Sequence, residues 1–250
     1  MVKIAIIGGS GIEKTSLIQD ITVSEVNTKW GKPSSPIKQG LLGDIQVAFL
    51  SRHGYDHTIP PSQVNNRANI AALKEIGCTH IISSTAVGSL REEIHPGHLV
   101  IPDQFIDFTK HRITTFYENF NEGINHLNIA DPFNESMRQA LAQVCKKLKY
   151  NYHDKGTVVT IEGPRFSTRA ESHMFRILGA DIINMSVAPE AILAAELSIP
   201  YATIAMSTDY DTWRENISPV TWEEIEDVML KNSKKVLHVF AEVIPLIANS

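Results

Sequence analysis

The sequence has few cysteines, no strong net charge and no long apolar run. Its two cysteines, Cys78 and Cys145, fit neither a disulfide framework nor a zinc motif, and we predict that both are buried thiols. The net charge of -5 leaves no basic surface for nucleic acid or an anionic membrane. The apolar run at residues 1–7 is too short for a signal peptide or a membrane span. We therefore expect a cytoplasmic protein with no nucleic-acid or membrane partner.

Several catalytic motifs are also absent. A G-x-x-x-x-G-K-[ST] loop is missing, which argues against a nucleoside triphosphate held by a Walker loop. The sequence contains neither H-E-x-x-H nor a G-x-S-x-G elbow, so a zinc protease and a serine hydrolase have no support. The G-G-S-G turn at residues 8–11 lacks the third glycine of a dinucleotide fingerprint. No metal site is predicted.

Apolar runs alternate with helical patterns along the whole chain. The runs that predict strands lie at residues 2–7, 45–50, 79–84, 99–101, 157–161, 182–185 and 201–206. Helices are predicted at residues 62–76 and 190–197, after the caps Asn134 and Thr168, and after Thr221 to near the end. Residues 105–132 predict a long loop. Since no linker divides the chain, we predict one α/β domain over residues 1–250, with a largely parallel sheet between two layers of helices.

Polar residues follow several of these strands. A parallel strand–helix–strand unit over residues 181–213 would bring Met185, Ser186, Asp209 and Asp211 to one crevice at the carboxyl edge of the sheet. Donors suited to a phosphate-sized dianion follow the strands as well, and they are Ser10, Arg52, His53, Thr85, Ala86 and Ser186. The alternatives are a plain tight turn at the glycines and a solvated strand end at Arg52.

The acid pair Asp209 and Asp211 permits three interpretations. The two carboxylates could bind a metal, could be solvated loop acids, or could bond to an amino heterocycle. No further metal ligand lies nearby with suitable spacing. In the loop E-G-P-R-F-S, Phe166 could lie against a flat base or could be a core residue.

Several longer segments of the chain match, in order, the sequence pattern of one known protein family. They include I-I-G-G-S-G-I at residues 6–12, S-R-H-G at 51–54, S-S-T-A-V-G-S at 83–89, T-I-E-G-P-R-F-S at 160–167, I-N-M-S-V-A-P-E at 183–190 and I-A-M-S-T-D-Y-D-T-W at 204–213. Together they resemble the nucleoside phosphorylase family over nearly the whole chain. The resemblance implies a phosphorylase/hydrolase-like fold, in which a mixed, mostly parallel, twisted sheet is flanked by helices.

The resemblance also implies an activity and an assembly. The reaction is phosphorolysis of 5′-methylthioadenosine to adenine and 5-methylthioribose 1-phosphate, with inorganic phosphate as co-substrate and no cofactor. A homotrimer with active sites at its subunit interfaces is implied as well. Two other activities stay open: a phosphorylase for a 6-oxopurine nucleoside such as methylthioinosine, and a non-catalytic nucleoside-binding module.

Residue roles carry over by position in the resemblance. The phosphate site matches Ser10, Arg52, His53, Thr85, Ala86 and Ser186, although many relatives have threonine in place of the two serines. The nucleoside site matches Met185 at the ribose, Phe166 and Ser167 at the base, Asp209 as the acid at adenine N7, Asp211 at the 6-amino group, His126 from a neighbouring subunit, and Trp222 and Ile225 at the methylthio group.

Overall fold

The computed structural model describes residues 2–9, 12, 17–121, 123–124, 126–215 and 222–249, and at residues 222–226 the backbone alone. Ser10 and the Thr221 cap predicted for the last helix lie outside these residues, as do the side chains of Trp222 and Ile225. In the described part of the chain, no helix is both long enough and apolar enough to cross a membrane.

Strands and helices alternate through most of the fold. The strands are β1 Lys3–Gly8, β2 Gln19–Ser24, β3 Ile37–Leu42, β4 Ile45–Ser51, β5 His80–Ser89, β6 Leu99–Val100, β7 Gln104–Phe108, β8 Tyr152–His153, β9 Thr157–Ile161, β10 Ile182–Asn184 and β11 Tyr201–Tyr210. The helices are α1 Asn66–Glu75, α2 Glu135–Lys147, α3 Arg169–Ile177, α4 Val187–Glu196 and α5 Trp222–Ala248.

One mixed sheet connects these strands, and most of its pairs are parallel. Its main path runs β2-β3-β4-β1-β5-β10-β9-β7, while β11 pairs with β5 and β6. Alternate residues of the central strands pack against different helices: Ala5 and Leu50 lie in the core with α1 and α4, whereas Ile4 and Phe49 pack with α2 and α5. The predicted three-layer α/β architecture is confirmed.

Strand β5 has two successive partners along one of its edges. β1 pairs in parallel with its first half, so that Ile7 lies opposite Ser83, and β10 pairs antiparallel with its end, so that Ile183 lies opposite Gly88. β11 follows β5 along its whole length and therefore occupies the other edge. The carboxyl ends of β1 and β10 consequently approach each other beside the middle of β5.

This arrangement corrects the predicted strand–helix–strand unit. β10 runs antiparallel to β5 and β11 runs parallel to it, so the two strands around α4 point in opposite directions. The site residues meet because β10 ends opposite the middle of β5, rather than because two parallel strands end at one edge. Strand direction depends on long-range pairing, which a local apolar pattern does not contain.

Other element boundaries differ from the prediction. The helix predicted from residue 62 begins at Asn66, because a short 3₁₀ turn, Pro61–Gln63, precedes it and Asn65 caps it through the backbone N–H of Ala68. Strand β5 extends through Ser89, so Thr85 and Ala86 lie within a strand and not in a following loop. β7 occupies the start of the predicted 105–132 loop, and β2 and β3 were not predicted.

Several local predictions are confirmed. The Asn134 side chain accepts a hydrogen bond from the backbone N–H of Met137 at the start of α2, and Thr168 with Glu171 forms a complete capping box on α3. Both cysteines are buried, and burial raises the pKa of the Cys78 and Cys145 thiols to about 12.

Candidate active site

A cavity of about 300 Å³ lies where the ends of β1 and β10 meet beside β5. Each predicted site residue whose side chain is described lines this cavity, except His126. Those residues are Arg52, His53, Thr85, Ala86, Phe166, Ser167, Met185, Ser186, Asp209 and Asp211. The residues that line it without having been predicted include His57, Gly88, Asn184 and Met229.

Arg52 differs from its predicted environment. It was predicted as an exposed phosphate donor aimed into the crevice, with a solvated strand end as the alternative; it does line the cavity, yet only 1% of its surface is exposed. Its guanidinium forms a forked pair with the carboxylate of Glu190, and Nη1 donates to the carbonyl oxygen of Ser84 at 2.9 Å. A buried arginine needs such a partner because an unpaired charge is costly away from water. The positive charge at this end of the cavity is therefore balanced within the protein.

Neutral donors surround this arginine. Ser186 precedes the first residue of α4, but its side chain does not cap the helix and its Oγ lies 3.2 Å from Thr85 Oγ1. The Asn184 side-chain amide donates to Thr85 Oγ1 at 3.2 Å. The hydroxyls and the N-terminal end of α4 give this region a local preference for an anion.

His53 lies at the same end of the cavity. Its Nδ1 is 2.8 Å from the carbonyl oxygen of Ile59. A carbonyl oxygen only accepts, so Nδ1 carries a proton and the tautomer of the ring is set. The His57 ring packs against it, with ring centroids 4.6 Å apart.

Asp209 lies opposite Gly88, three residues farther along β5 than Thr85, and therefore at the other end of the cavity from the donors around Arg52; a bulge in β11 follows Ser207. The Thr208 hydroxyl donates to Asp209 Oδ1 at 2.6 Å. Burial raises the pKa of Asp209 to about 6, and the nearby Asp211 contributes in the same direction, while the Thr208 hydrogen bond opposes the rise. This carboxyl group can therefore hold a proton close to neutral pH.

Asp211 is buried beside it with one carboxylate oxygen, Oδ2, that has no hydrogen-bond partner in the described residues. Burial raises the pKa of Asp211, and the nearby hydroxyls of Ser172 and Ser167 partly offset that rise without forming hydrogen bonds of normal geometry. A buried, unpaired acceptor is costly. A ligand N–H would satisfy it.

Gly88 makes room for both acids, and sequence reasoning did not single it out. A Cβ atom built on Gly88 would lie 3.3 Å from Asp209 Oδ2 and 3.3 Å from Asp211 Cβ. A glycine inside a strand often marks a close approach of this kind. That signal was present in the T-A-V-G-S segment.

Phe166 and Met185 also line the cavity. Phe166 is 56% exposed, which argues against the core alternative. Arg112 was not predicted as part of this region; it donates from Nη1 to the carbonyl oxygen of Met185 at 3.2 Å and from Nε to Glu162 at 2.9 Å. These bonds, together with one to the Glu162 carbonyl oxygen, fix the chain on both sides of the cavity.

The remaining predicted residues lie elsewhere or outside the described side chains. His126 is exposed, does not line the cavity, and contacts the Phe120 ring at a centroid distance of 5.8 Å. α5 nevertheless contributes Met229, a buried apolar side chain that lines the cavity. Among the described residues, no three His, Cys, Asp or Glu side chains are placed to hold a metal ion.

Comparison with known proteins gives consistent matches. A model of the phosphorylase superfamily matches residues 3–245. The chain is 48% identical over 250 residues to an S-methyl-5′-thioadenosine phosphorylase from Anopheles gambiae, covering 99% of this chain and 90% of that protein. It is 49% identical to the protein of that name from Hyperthermus butylicus, covering 97% of this chain and 87% of the other.

Solved structures give the same result. Methylthioadenosine phosphorylase from Schistosoma mansoni in complex with adenine superposes with a TM-score of 0.95 at 39% identity, covering 100% of this chain and 93% of that one. A mutant of adenosine/methylthioadenosine phosphorylase from the same organism, in complex with methylthioadenosine, gives a TM-score of 0.93 at 38% identity, with the same coverage.

Proposed function

The chain belongs to the phosphorylase superfamily, and on that premise we infer that it is a pentosyltransferase that cleaves 5′-methylthioadenosine with inorganic phosphate, releasing adenine and 5-methylthioribose 1-phosphate. The observation that carries the proposal is a cavity with two chemically different ends. One end holds the neutral donors around Arg52, and the other holds the buried acids Asp209 and Asp211. The relatives named for this activity match nearly the whole chain.

The acid end suits an aminopurine. Asp211 Oδ2 has no partner in the described residues and accepts from the exocyclic 6-amino group, while protonated Asp209 donates to N7. As the bond between C1′ and N9 breaks, negative charge develops on the purine. The Asp209 proton neutralises that charge, so Asp209 acts as a general acid. Phe166 lies against the face of the base.

The phosphate end completes the reaction. A phosphate oxygen forms the new bond to C1′ as the N9 bond breaks, and its negative charge stabilises the positive charge that develops on the ribose. Arg52, His53, Thr85 and Ser186 hold the phosphate, together with the backbone at Ala86 and with Ser10, which lies outside the described residues. In this scheme the Met185 backbone orients the ribose hydroxyls. Neither a metal ion nor an organic cofactor takes part in this scheme.

The 5′ end of the nucleoside lies toward α5 in this scheme. Met229 provides an apolar surface, and Trp222 and Ile225 start the same helix. We assign His126 to the site of a neighbouring subunit in a homotrimer. Exposed apolar side chains surround it in the segment, namely Ile113, Tyr117, Phe120, Ile124 and Leu127, and their exposure in an isolated chain supports a subunit contact.

The test is free base released from 5′-methylthioadenosine and from 5′-methylthioinosine, each with and without phosphate. We expect phosphate-dependent adenine release that EDTA does not change. The inosine analogue should react more slowly by orders of magnitude, because its 6-oxo group offers no N–H to Asp211.

Each other result would contradict a stated part of the proposal. Preference for the inosine analogue would overturn the role of Asp211. Release of base without phosphate would make the protein a hydrolase. Tight nucleoside binding without release would make it a binding module.

A further inference from the structure

Glu190 is a fully buried carboxylate in the first turns of α4, with an exposed fraction of 0%. Glutamate is almost never buried to this extent without a specific partner. Both of its oxygens bond to Arg52, through Nε and, at 3.1 Å, through Nη2. The Tyr201 hydroxyl donates to Oε2 at 2.8 Å. Glu190 thus connects the helix that begins at the phosphate end of the cavity to the arginine that lines it.

These contacts fix the orientation of the guanidinium. The carboxylate holds two of its nitrogens in a forked geometry, and the carbonyl oxygen of Ser84 holds the third. A Cβ atom built on Gly9 would lie 2.5 Å from Nη1, so the chain after β1 approaches the guanidinium closely. Tyr201 is itself anchored, because its hydroxyl lies 2.6 Å from Ser83 Oγ. Burial and the nearby Glu190 raise the pKa of Tyr201, which keeps it a donor.

The same contacts cancel the charge of Arg52. A bare guanidinium in a cavity of low polarity would bind phosphate and a sugar phosphate strongly, because opposite charges attract more there than in water. It would also oppose the positive charge that develops on the ribose. Tight binding of ground state and product lowers turnover, since only interactions stronger in the transition state accelerate the reaction.

We propose that Glu190 is a positioning residue that orients Arg52 and balances its charge, so that phosphate binds through directed hydrogen bonds and the sugar phosphate product can leave. The inference rests on the proposed phosphorolysis.

The test compares the wild type with Glu190→Gln, which keeps the shape of the side chain and removes its charge. Glu196→Gln is the matched control, since Glu196 lies on the same helix and bonds instead to Thr115 and the backbone of Phe116. In Glu190→Gln we expect the KM for phosphate to fall at least about tenfold. We also expect kcat to fall, with a rapid burst of adenine before slow steady turnover. The control should keep wild-type values for phosphate.

The opposite shift would overturn the inference. If Glu190→Gln leaves the phosphate KM unchanged or raises it, Glu190 does not balance the charge of Arg52. If neither the wild type nor the control releases adenine with phosphate, the proposed function fails and the inference fails with it. Normal wild-type turnover with an unaltered phosphate KM in the variant would leave the function standing and remove the inference alone.

A variant that does not fold still tests the idea, because phosphate should replace the missing counter-charge. We expect Glu190→Gln to refold better in phosphate than in chloride of equal ionic strength, and to gain more thermal stability from phosphate than the wild type does. Equal behaviour in the two salts would overturn the inference.

Discussion

At the scale of single residues, Asp209 and Asp211, the two acids at the end of the cavity assigned to the purine base, differ in their hydrogen bonding. Asp209 bonds to a neighbouring hydroxyl and has a pKa of about 6, whereas Asp211 keeps one oxygen without a partner in the described residues. We expect Asp209→Asn to lower kcat by about 10²–10⁴-fold, because the amide cannot transfer a proton to the departing base. Steady-state rates at saturating substrates measure this. Asp44→Asn, an exposed acid outside the cavity, should match the wild type.

The raised pKa of Asp209 also predicts a pH dependence. A general acid works only when protonated, so kcat/KM for the nucleoside should fall as the pH rises through about 6. Phosphate and histidines titrate in the same range, and Asp209→Asn separates their effects because its residual activity lacks the Asp209 ionisation. Profiles of identical shape for the wild type and the variant would contradict the assignment.

The same carboxyl group links activity to stability. Its pKa is higher in the folded state than the ordinary value of 3.8, so its ionisation costs stability as the pH rises through about 6. Asn stays neutral at every pH. Asp209→Asn should therefore be more stable than the wild type at pH 8, by about 3 kcal/mol at most, and the difference should vanish near pH 3, below the ordinary pKa of the unfolded state. Denaturant unfolding at the two pH values tests the sign.

Sequence reasoning found the chemical groups of the cavity but not the residues that hold them. Arg52, Asp209 and Ser186 were identified because polar residues follow apolar strands. Glu190 and Arg112 gave no such signal, since Glu190 pairs with Arg52, 138 residues away along the chain, and the partners of Arg112 are 50 residues or more away. A buried acid in a helix looks like an exposed one until its tertiary contacts are known.

At the scale of elements, α3 depends on its first turn. The Thr168 hydroxyl accepts from the backbone N–H of Glu171 at 3.1 Å, and the Glu171 carboxylate accepts from the backbone N–H of Thr168 at 2.7 Å. We expect Thr168→Ala to lower the free energy of unfolding by about 1 kcal/mol, because one N–H loses its partner. Thr168→Ser keeps the hydroxyl and should lose much less. Equal losses in denaturant unfolding would show that the methyl group, not the cap, matters.

Elements marked by apolar runs or capping residues in the sequence were predicted well, whereas strands that depend on pairing with distant strands were not. The predicted strand at residues 157–161 matches β9, and the caps of α2 and α3 are confirmed, because apolar runs and capping residues are local features. The end of β5 was missed because Thr85 and Ser89 are polar, and they extend the strand only through pairing with β11 and β10. β2 was missed because it is an edge strand with only two large apolar residues, Ile21 and Val23, which stay 46% and 61% exposed instead of forming a buried run.

At the scale of the whole molecule, His126 is the described site residue that its own chain does not bring to the cavity. It is exposed and outside the cavity, within a segment of exposed apolar side chains. In the proposed trimer it would complete the site of the next subunit. His126→Ala should then raise the KM for the nucleoside without changing the KM for phosphate.

Sedimentation should show a trimer at working concentration, and a monomer would contradict the assignment.

Mixing two damaged chains distinguishes a residue lent by a neighbour from one that acts in its own subunit. A site needs Asp209 from one chain and His126 from the next, so a His126→Ala subunit beside an Asp209→Asn subunit forms a site with both native residues. After co-refolding at equal amounts, about one quarter of the sites should be intact in a head-to-tail ring. At low nucleoside concentration the mixture should therefore be more active than the average of the two variants refolded separately. If His126 acts within its own chain, the mixture and that average will agree.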